Sequence, residues 1–148
     1  MYEYRCKILK VVDGDTVDVD IDLGFGVVLS DERVRIMGID TPESRTSDKV
    51  EKVFGIAAKN ALKGMLGKTS ILKTQINRDG EDMKGKFGRI LGELYVNGVS
   101  INQKMIDDYH AVEYTGENKD TTTERHMEHR KLLVEKGTVT QEQIDKVS

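Results

Sequence analysis

The chain has 148 residues, enough for one domain with a real core, and a formal charge of −3. That charge argues against a general nucleic-acid binder, and no apolar run approaches the roughly 18 residues of a membrane helix. The single cysteine, Cys6, excludes an intramolecular disulfide and supports a zinc site only weakly. The first strand is predicted over residues 2–12, where Tyr2, Tyr4, Cys6 and Ile8 partly alternate with polar residues. Asp13-Gly14-Asp15 is a turn signal. Val17, Val19 and Ile21 then keep period two, "LGFG" at 23–26 makes a second turn, and "VRIMGI" at 34–39 is the third strand.

A helix follows. Asp48 and Glu51 resemble a capping box, and Val50, Phe54, Ala58, Leu62 and Met65 form one apolar stripe at three/four spacing. Two more strands are predicted at 69–76 and 89–96, separated by the polar loop "NRDGEDMKGKFG". After the Asn97-Gly98 turn, Ser100 and Gln103 cap a helix carrying Ile101, Met105 and Ile106. A loop over 114–120 leads to a last long helix, capped at Thr121 with Glu124 and running to Lys136. Its apolar stripe is weak, so a peripheral position is expected. Residues 137–148 are expected as a peripheral tail with one short helix, and the whole of 1–148 as one domain. Five strands with a helix after the third is the order of an OB-fold: an α+β, mainly β chain, a five-stranded barrel with about three helices.

Charge is unevenly spread. Residues 1–32 hold three basic and eight acidic side chains, whereas residues 59–89 hold eight basic and three acidic. An acidic cluster facing a basic band would suit a metal-bridged phosphate ligand, and ordinary solvated surface would look the same. Within the acidic part, Asp18, Asp20 and Asp22 alternate with the apolar row of the second strand and are predicted to face outward. Asp15 shares parity with the apolar row. A buried carboxylate is costly unless paired or metal-bound, so Asp15 needs an explanation.

Two further stretches are unusual. In "RVRIMGIDTPESR" (33–45) a strand runs into Asp40-Thr41-Pro42-Glu43, and Pro42 stops it with Thr41 extended. Two carboxylates plus a backbone carbonyl make a hard oxygen site suited to Ca²⁺ or Mg²⁺. In "KGKFGR" (84–89), Gly85 and Gly88 let backbone approach a ligand and Arg89 opens the next strand. Taken alone, the first is also a loop ahead of a helix and the second a flexible basic loop. His126 and His129 lie three apart on the last helix with no pattern to complete a zinc site, so they are expected at the surface, and His110 is likewise given no role.

Together, "VVDGDTV" (11–17), "RIMGIDTPE" (35–43) and "KFGR" (86–89), with a looser match through "LYVNGVSINQKMI" (94–106), resemble the staphylococcal nuclease (thermonuclease) family of OB-folds. The resemblance covers about residues 5–133. It implies that Asp15, Asp40 and the carbonyl of Thr41 bind one Ca²⁺. It implies that Arg35 and Arg89 grip the scissile phosphate and that Glu43 activates the attacking water. Lys86 and Tyr114 match substrate-binding positions. The implied activity is calcium-dependent hydrolysis of single-stranded DNA and RNA to 3′-phosphate products by a monomer.

This sequence departs from the family in three places. The 114–120 loop lacks the usual proline, Gly116 falls where a second ligand-contacting tyrosine is placed, and Phe87 stands where tyrosine is common. The family's secreted members are basic. Here the start "MYEYRCKILK" has no export signal, so a cytoplasmic location is expected unless a leader was trimmed. The competing readings are a catalytically silent binding module, which usually loses the catalytic residues kept here, and a structural OB-fold subunit. A large exposed apolar patch would favour the latter, and none is obvious in the sequence.

Overall fold

The computed structural model describes residues 2–75 and 89–148. Strands β1 (Glu3–Asp13), β2 (Thr16–Gly24) and β3 (Val27–Ile36) form an antiparallel meander. β5 (Thr69–Thr74) pairs with β1, and β6 (Ile90–Val96) pairs with β5. A parallel pairing of β6 with Val34–Ile36 of β3 closes the ring into a five-stranded mixed barrel. Short β7 (Val99–Ser100) extends β6, while β4 (Ile39–Asp40) pairs with β8 (Val112–Glu113). Four helices complete the chain: α1 (Lys49–Met65), α2 (Ile101–Asp107), α3 (Lys119–Glu135) and α4 (Gln141–Asp145). The expected α+β OB-fold barrel is present, and α4 is the short helix expected in the tail.

Period two decides the inside of the barrel. Val17, Val19 and Ile21 of β2, Val34 and Ile36 of β3, Leu72 of β5 and Leu94 of β6 are all buried. Ala58 and Leu62 of α1 and Ile101 and Met105 of α2 plug the barrel. Each fully buried aliphatic or aromatic side chain contributes about 1.5–3 kcal/mol of transfer free energy. A second cluster joins Phe54 of α1, Leu133 of α3 and Val139, so the segment after α3 also feeds the core.

Local chemistry sets the helix starts. The Asp48 carboxylate accepts from the backbone N–H of Val50 and Glu51, capping α1 as expected. Glu51 does not close a capping box; its carboxylate accepts instead from the Glu43 N–H at 3.0 Å, tying the helix to the loop before it. α3 begins earlier than predicted. Asn118, not Thr121, is the cap, with its side-chain oxygen on the Thr121 N–H at 2.9 Å. Asparagine is the stronger cap of the two, which moves the start back by one turn.

The far end of the meander departs from expectation. Gly24, Phe25 and Gly26 all have left-handed φ, and Phe25 is fully exposed at the tip. Leu23, Val27, Val28 and Leu29 beside it are also exposed, so the hairpin carries apolar surface that the sequence pattern did not reveal.

Candidate active site

The site is built where β1 turns into β2, against the end of β3. Gly14 at that turn has no room for a side chain: a Cβ there would lie 2.8 Å from Ala58 Cβ and 3.0 Å from Thr41 Oγ1. The turn therefore seats directly on α1 and on the Asp40–Pro42 segment. The Asp15 carbonyl accepts from the Ile36 N–H at 2.8 Å, which sets Asp15 beside the last residues of β3.

Arg35 lies across this corner. Its Nη1 donates to the Ile36 carbonyl at 2.6 Å and its Nη2 to the Ile39 carbonyl at 3.0 Å. Nη2 also stands 3.4 Å from Asp15 Oδ2 and 3.8 Å from Asp40 Oδ1. One guanidinium thus holds two carboxylates close together, one from the β1–β2 turn and one from β4. Burial pushes the Asp15 carboxyl above its usual range and the Asp40 charge adds to that; the Arg35 guanidinium and the Thr16 hydroxyl pull the other way. The other Asp40 oxygen, Oδ2, lies 2.7 Å from His126 Nε2 of α3.

The following loop is clamped from two sides. Asp13 Oδ1 accepts from both the backbone N–H and the hydroxyl of Ser44. α1 approaches so closely that a Cβ at Gly55 would sit 2.1 Å from the Glu43 carbonyl oxygen. Only glycine permits that contact. With the Glu51 bond, these contacts fix the Glu43 backbone while its side chain stays exposed. Thr41 is buried, and its hydroxyl has no hydrogen-bond partner among the described residues.

A cleft of about 550 Å³ opens over these groups. Arg35, Asp40, Thr41, Glu43, Arg89 and Tyr114 all line it, and Asp15 reaches it through Arg35. The structure therefore gathers the predicted residues at one place, except Lys86, which lies outside the described residues, as does Phe87. The Tyr114 N–H bonds the Gly38 carbonyl, so that residue is anchored to the same corner. A wider groove of about 820 Å³, bounded by Arg5, Asp20, Phe25 and Tyr95, contains none of the predicted site residues.

Sequence reasoning missed the supporting residues. Asp13 was read only as turn, Glu51 as a cap, and His126 as surface; His126 is three-quarters or more withdrawn and bonded to Asp40. His110 is buried, and burial lowers its pKa. A glycine inside an otherwise strong helix was the available signal for the Gly55 contact. Nothing in the spacing of α3 pointed to Asp40.

Asp15 and Asp40 are hard oxygen donors brought together in a desolvated corner, and with a Thr41 carbonyl they suit a hard divalent cation in kind. Among the described residues, no group of three or more His, Cys, Asp or Glu side chains is gathered for a metal. Two carboxylates and a carbonyl need no third.

Comparison with known proteins places the chain in a family. Residues 33–146 match the family described as staphylococcal nuclease homologue, a span that includes Arg35, Asp40, Glu43 and Arg89 and begins after Asp15. Protein ParB of Escherichia coli is 34% identical over 95 residues, covering 64% of this chain and 44% of that protein. Thermonuclease of Staphylococcus intermedius is 32% identical over 98 residues, covering 66% and 52%. The SPbeta prophage-derived endonuclease YokF of Bacillus subtilis is 30% identical over 99 residues, covering 67% and 30%. The chain spans about half or less of the length of these relatives. Its fold, its site geometry and these matches lead to one conclusion: the chain belongs to the staphylococcal nuclease family.

Proposed function

We propose that the cleft hydrolyses phosphodiester bonds of nucleic acid, with single-stranded DNA and RNA as substrates and Ca²⁺ as the cofactor. The observation that carries this reading is the convergence of Asp15 and Asp40 on the Arg35 guanidinium, with Glu43 and Arg89 on the same cleft. Asp15, Asp40 and the Thr41 carbonyl would hold the ion. Bound there, Ca²⁺ supplies positive charge against the charge that builds on the phosphoryl oxygens.

The chain's own residues do the rest. Arg35 and Arg89 donate paired hydrogen bonds to the phosphate and stay charged at any working pH, which favours the more anionic transition state. Glu43, exposed in the cleft on a clamped backbone, takes the proton of the attacking water. The new bond forms between that oxygen and phosphorus; the bond to O5′ breaks and O5′ takes a proton from solvent, leaving a 3′-phosphate and a 5′-hydroxyl. Tyr114 offers a stacking face to a base, worth about 1–3 kcal/mol.

The test is fluorescence release from a quenched single-stranded DNA oligonucleotide, in Ca²⁺ and in EGTA, beside an Asp40→Ala/Glu43→Ala double variant. Calcium-dependent cleavage absent from the variant is expected. A folded protein that fails to cleave with any divalent metal would instead favour the second reading, a silent binding module. The exposed apolar hairpin at Phe25 is the observation that favours a different alternative, a structural OB-fold subunit.

A further inference from the structure

One wall of the cleft belongs to a helix whose sequence gives no structural reason for its orientation. α3 is polar nearly all round, with only Thr122 and Leu133 buried. A helix without an apolar stripe gains little from packing alone. Yet Lys119, Thr122, Thr123, His126, Met127 and Arg130 of α3 all line the cleft, at the three/four spacing of a single helical face. No cleft-lining position of α3 is acidic; Asp120, Glu124 and Glu128 repeat every four residues on a neighbouring face. His126 joins this face to Asp40.

The two cations have different settings. Lys119 is exposed at the first turn of α3, where the helix dipole adds to its attraction for anions. Arg130 is half-buried, its guanidinium 5.1 Å from the Phe54 ring centre, and its Nε has no hydrogen-bond partner among the described residues. They stand eleven positions apart in α3, roughly 16 Å at 1.5 Å per residue. That distance outspans a single phosphate.

We propose that this face of α3 is a strand-binding wall: Lys119 and Arg130 take separate phosphates of one single-stranded polynucleotide that passes from the Arg35–Asp40 corner along the helix. The occupant follows from charge and from continuity with the corner, so this inference rests on the nuclease reading and deepens it. Met127, about half exposed between the two cations, offers an apolar surface to a base.

The experiment measures binding apart from catalysis. In a Glu43→Ala background with Ca²⁺, fluorescence anisotropy reads the affinity for a labelled short and a labelled long oligothymidylate at several salt concentrations. Lys119→Glu is expected to weaken binding of the long oligonucleotide about tenfold, and Lys119→Ala to lower its salt slope by about 0.7, the loss of one phosphate contact on a single strand. Arg130→Gln should act in the same direction and Arg130→Lys should restore most of the loss, which separates charge from folding. Lys146→Glu, just past the end of α4 and not among the residues lining the cleft, is expected to leave affinity unchanged. If the Glu43→Ala protein binds the oligonucleotide and both Lys119 variants leave affinity and slope intact, the α3 wall is overturned and the nuclease reading stands. If the parent chain neither binds nor cleaves, both fall together.

Discussion

Asp13 and Asp15 at the turn, and Asp18, Asp20 and Asp22 along β2, are one residue type within ten positions, and they have opposite fates. The strand aspartates bond within their own hairpin. Asp18 pairs with Arg33, Asp20 accepts from the Asp31 N–H, and Asp22 accepts from the Gly24 N–H. The turn aspartates reach across the molecule, Asp13 to Ser44 and Asp15 to Arg35. The difference is parity and place. A carboxylate on the outer face finds its partner within its own hairpin, whereas one at the turn pressed against α1 finds its partner in a segment from elsewhere in the fold. Crowded acids on a strand thus have two explanations, one for each region.

The sharpest way to break this division is activity. Arg35→Ala is expected to slow cleavage by at least about a hundredfold, near 3 kcal/mol, as removal of one preorganised donor does. Asp20→Ala on the strand should leave the rate within a small factor. Comparable losses in both, measured by initial rates on single-stranded DNA, would erase the distinction.

Next in size is Gly55→Ala. Its Cβ would overlap the Glu43 carbonyl, so α1 or the loop must move. A destabilisation of about 2–3 kcal/mol in urea denaturation is expected, with loss of cleavage. Asp13→Ala leaves the Ser44 N–H and hydroxyl without their acceptor and should cost about 1–2 kcal/mol. Asp18→Ala removes an ion pair whose Arg33 side chain is half exposed, and should cost less than about 1 kcal/mol. Equal values for Asp13 and Asp18 would show that reach across the molecule carries no extra stability.

The smallest effect concerns pH. Hydrogen bonds from the Thr115 N–H and hydroxyl hold the Glu117 carboxyl down to about 2, from 4.5. A depressed carboxyl pKa contributes order that is complete above 4.5 and lost as pH falls toward about 2. The 114–118 loop is therefore expected to loosen over that window, and Thr115→Val, which removes the hydroxyl bond and keeps the N–H bond, should raise the Glu117 titration, followed by NMR, part of the way to the ordinary range.

How much was legible in the sequence follows from the same physics. Period two in Val17, Val19 and Ile21, and the stripe of Phe54, Ala58 and Leu62, carry their own orientation, and both hold in the barrel. The three motifs brought Arg35, Asp40, Glu43 and Arg89 to one cleft because each sits at a strand end or in the loop that follows one. The supports were not legible. Glu51 serves Glu43 rather than its own helix, and His126 meets Asp40 from 86 positions away. α3 lacks an apolar stripe, so its pattern held no statement about which face turns inward. The exposed hairpin was hidden for another reason: "LGFG" at 23–26 reads only as a turn, and a turn signal says nothing about whether the apolar residues beside it are covered.

The most direct test is calorimetric titration of Ca²⁺ into the wild-type chain, Asp15→Ala and Asp20→Ala, side by side and without substrate. Binding to the wild type and to Asp20→Ala with loss in Asp15→Ala is the predicted result. Retained binding in Asp15→Ala, or loss in Asp20→Ala, would contradict the assignment of the desolvated turn as the metal corner of a nuclease site.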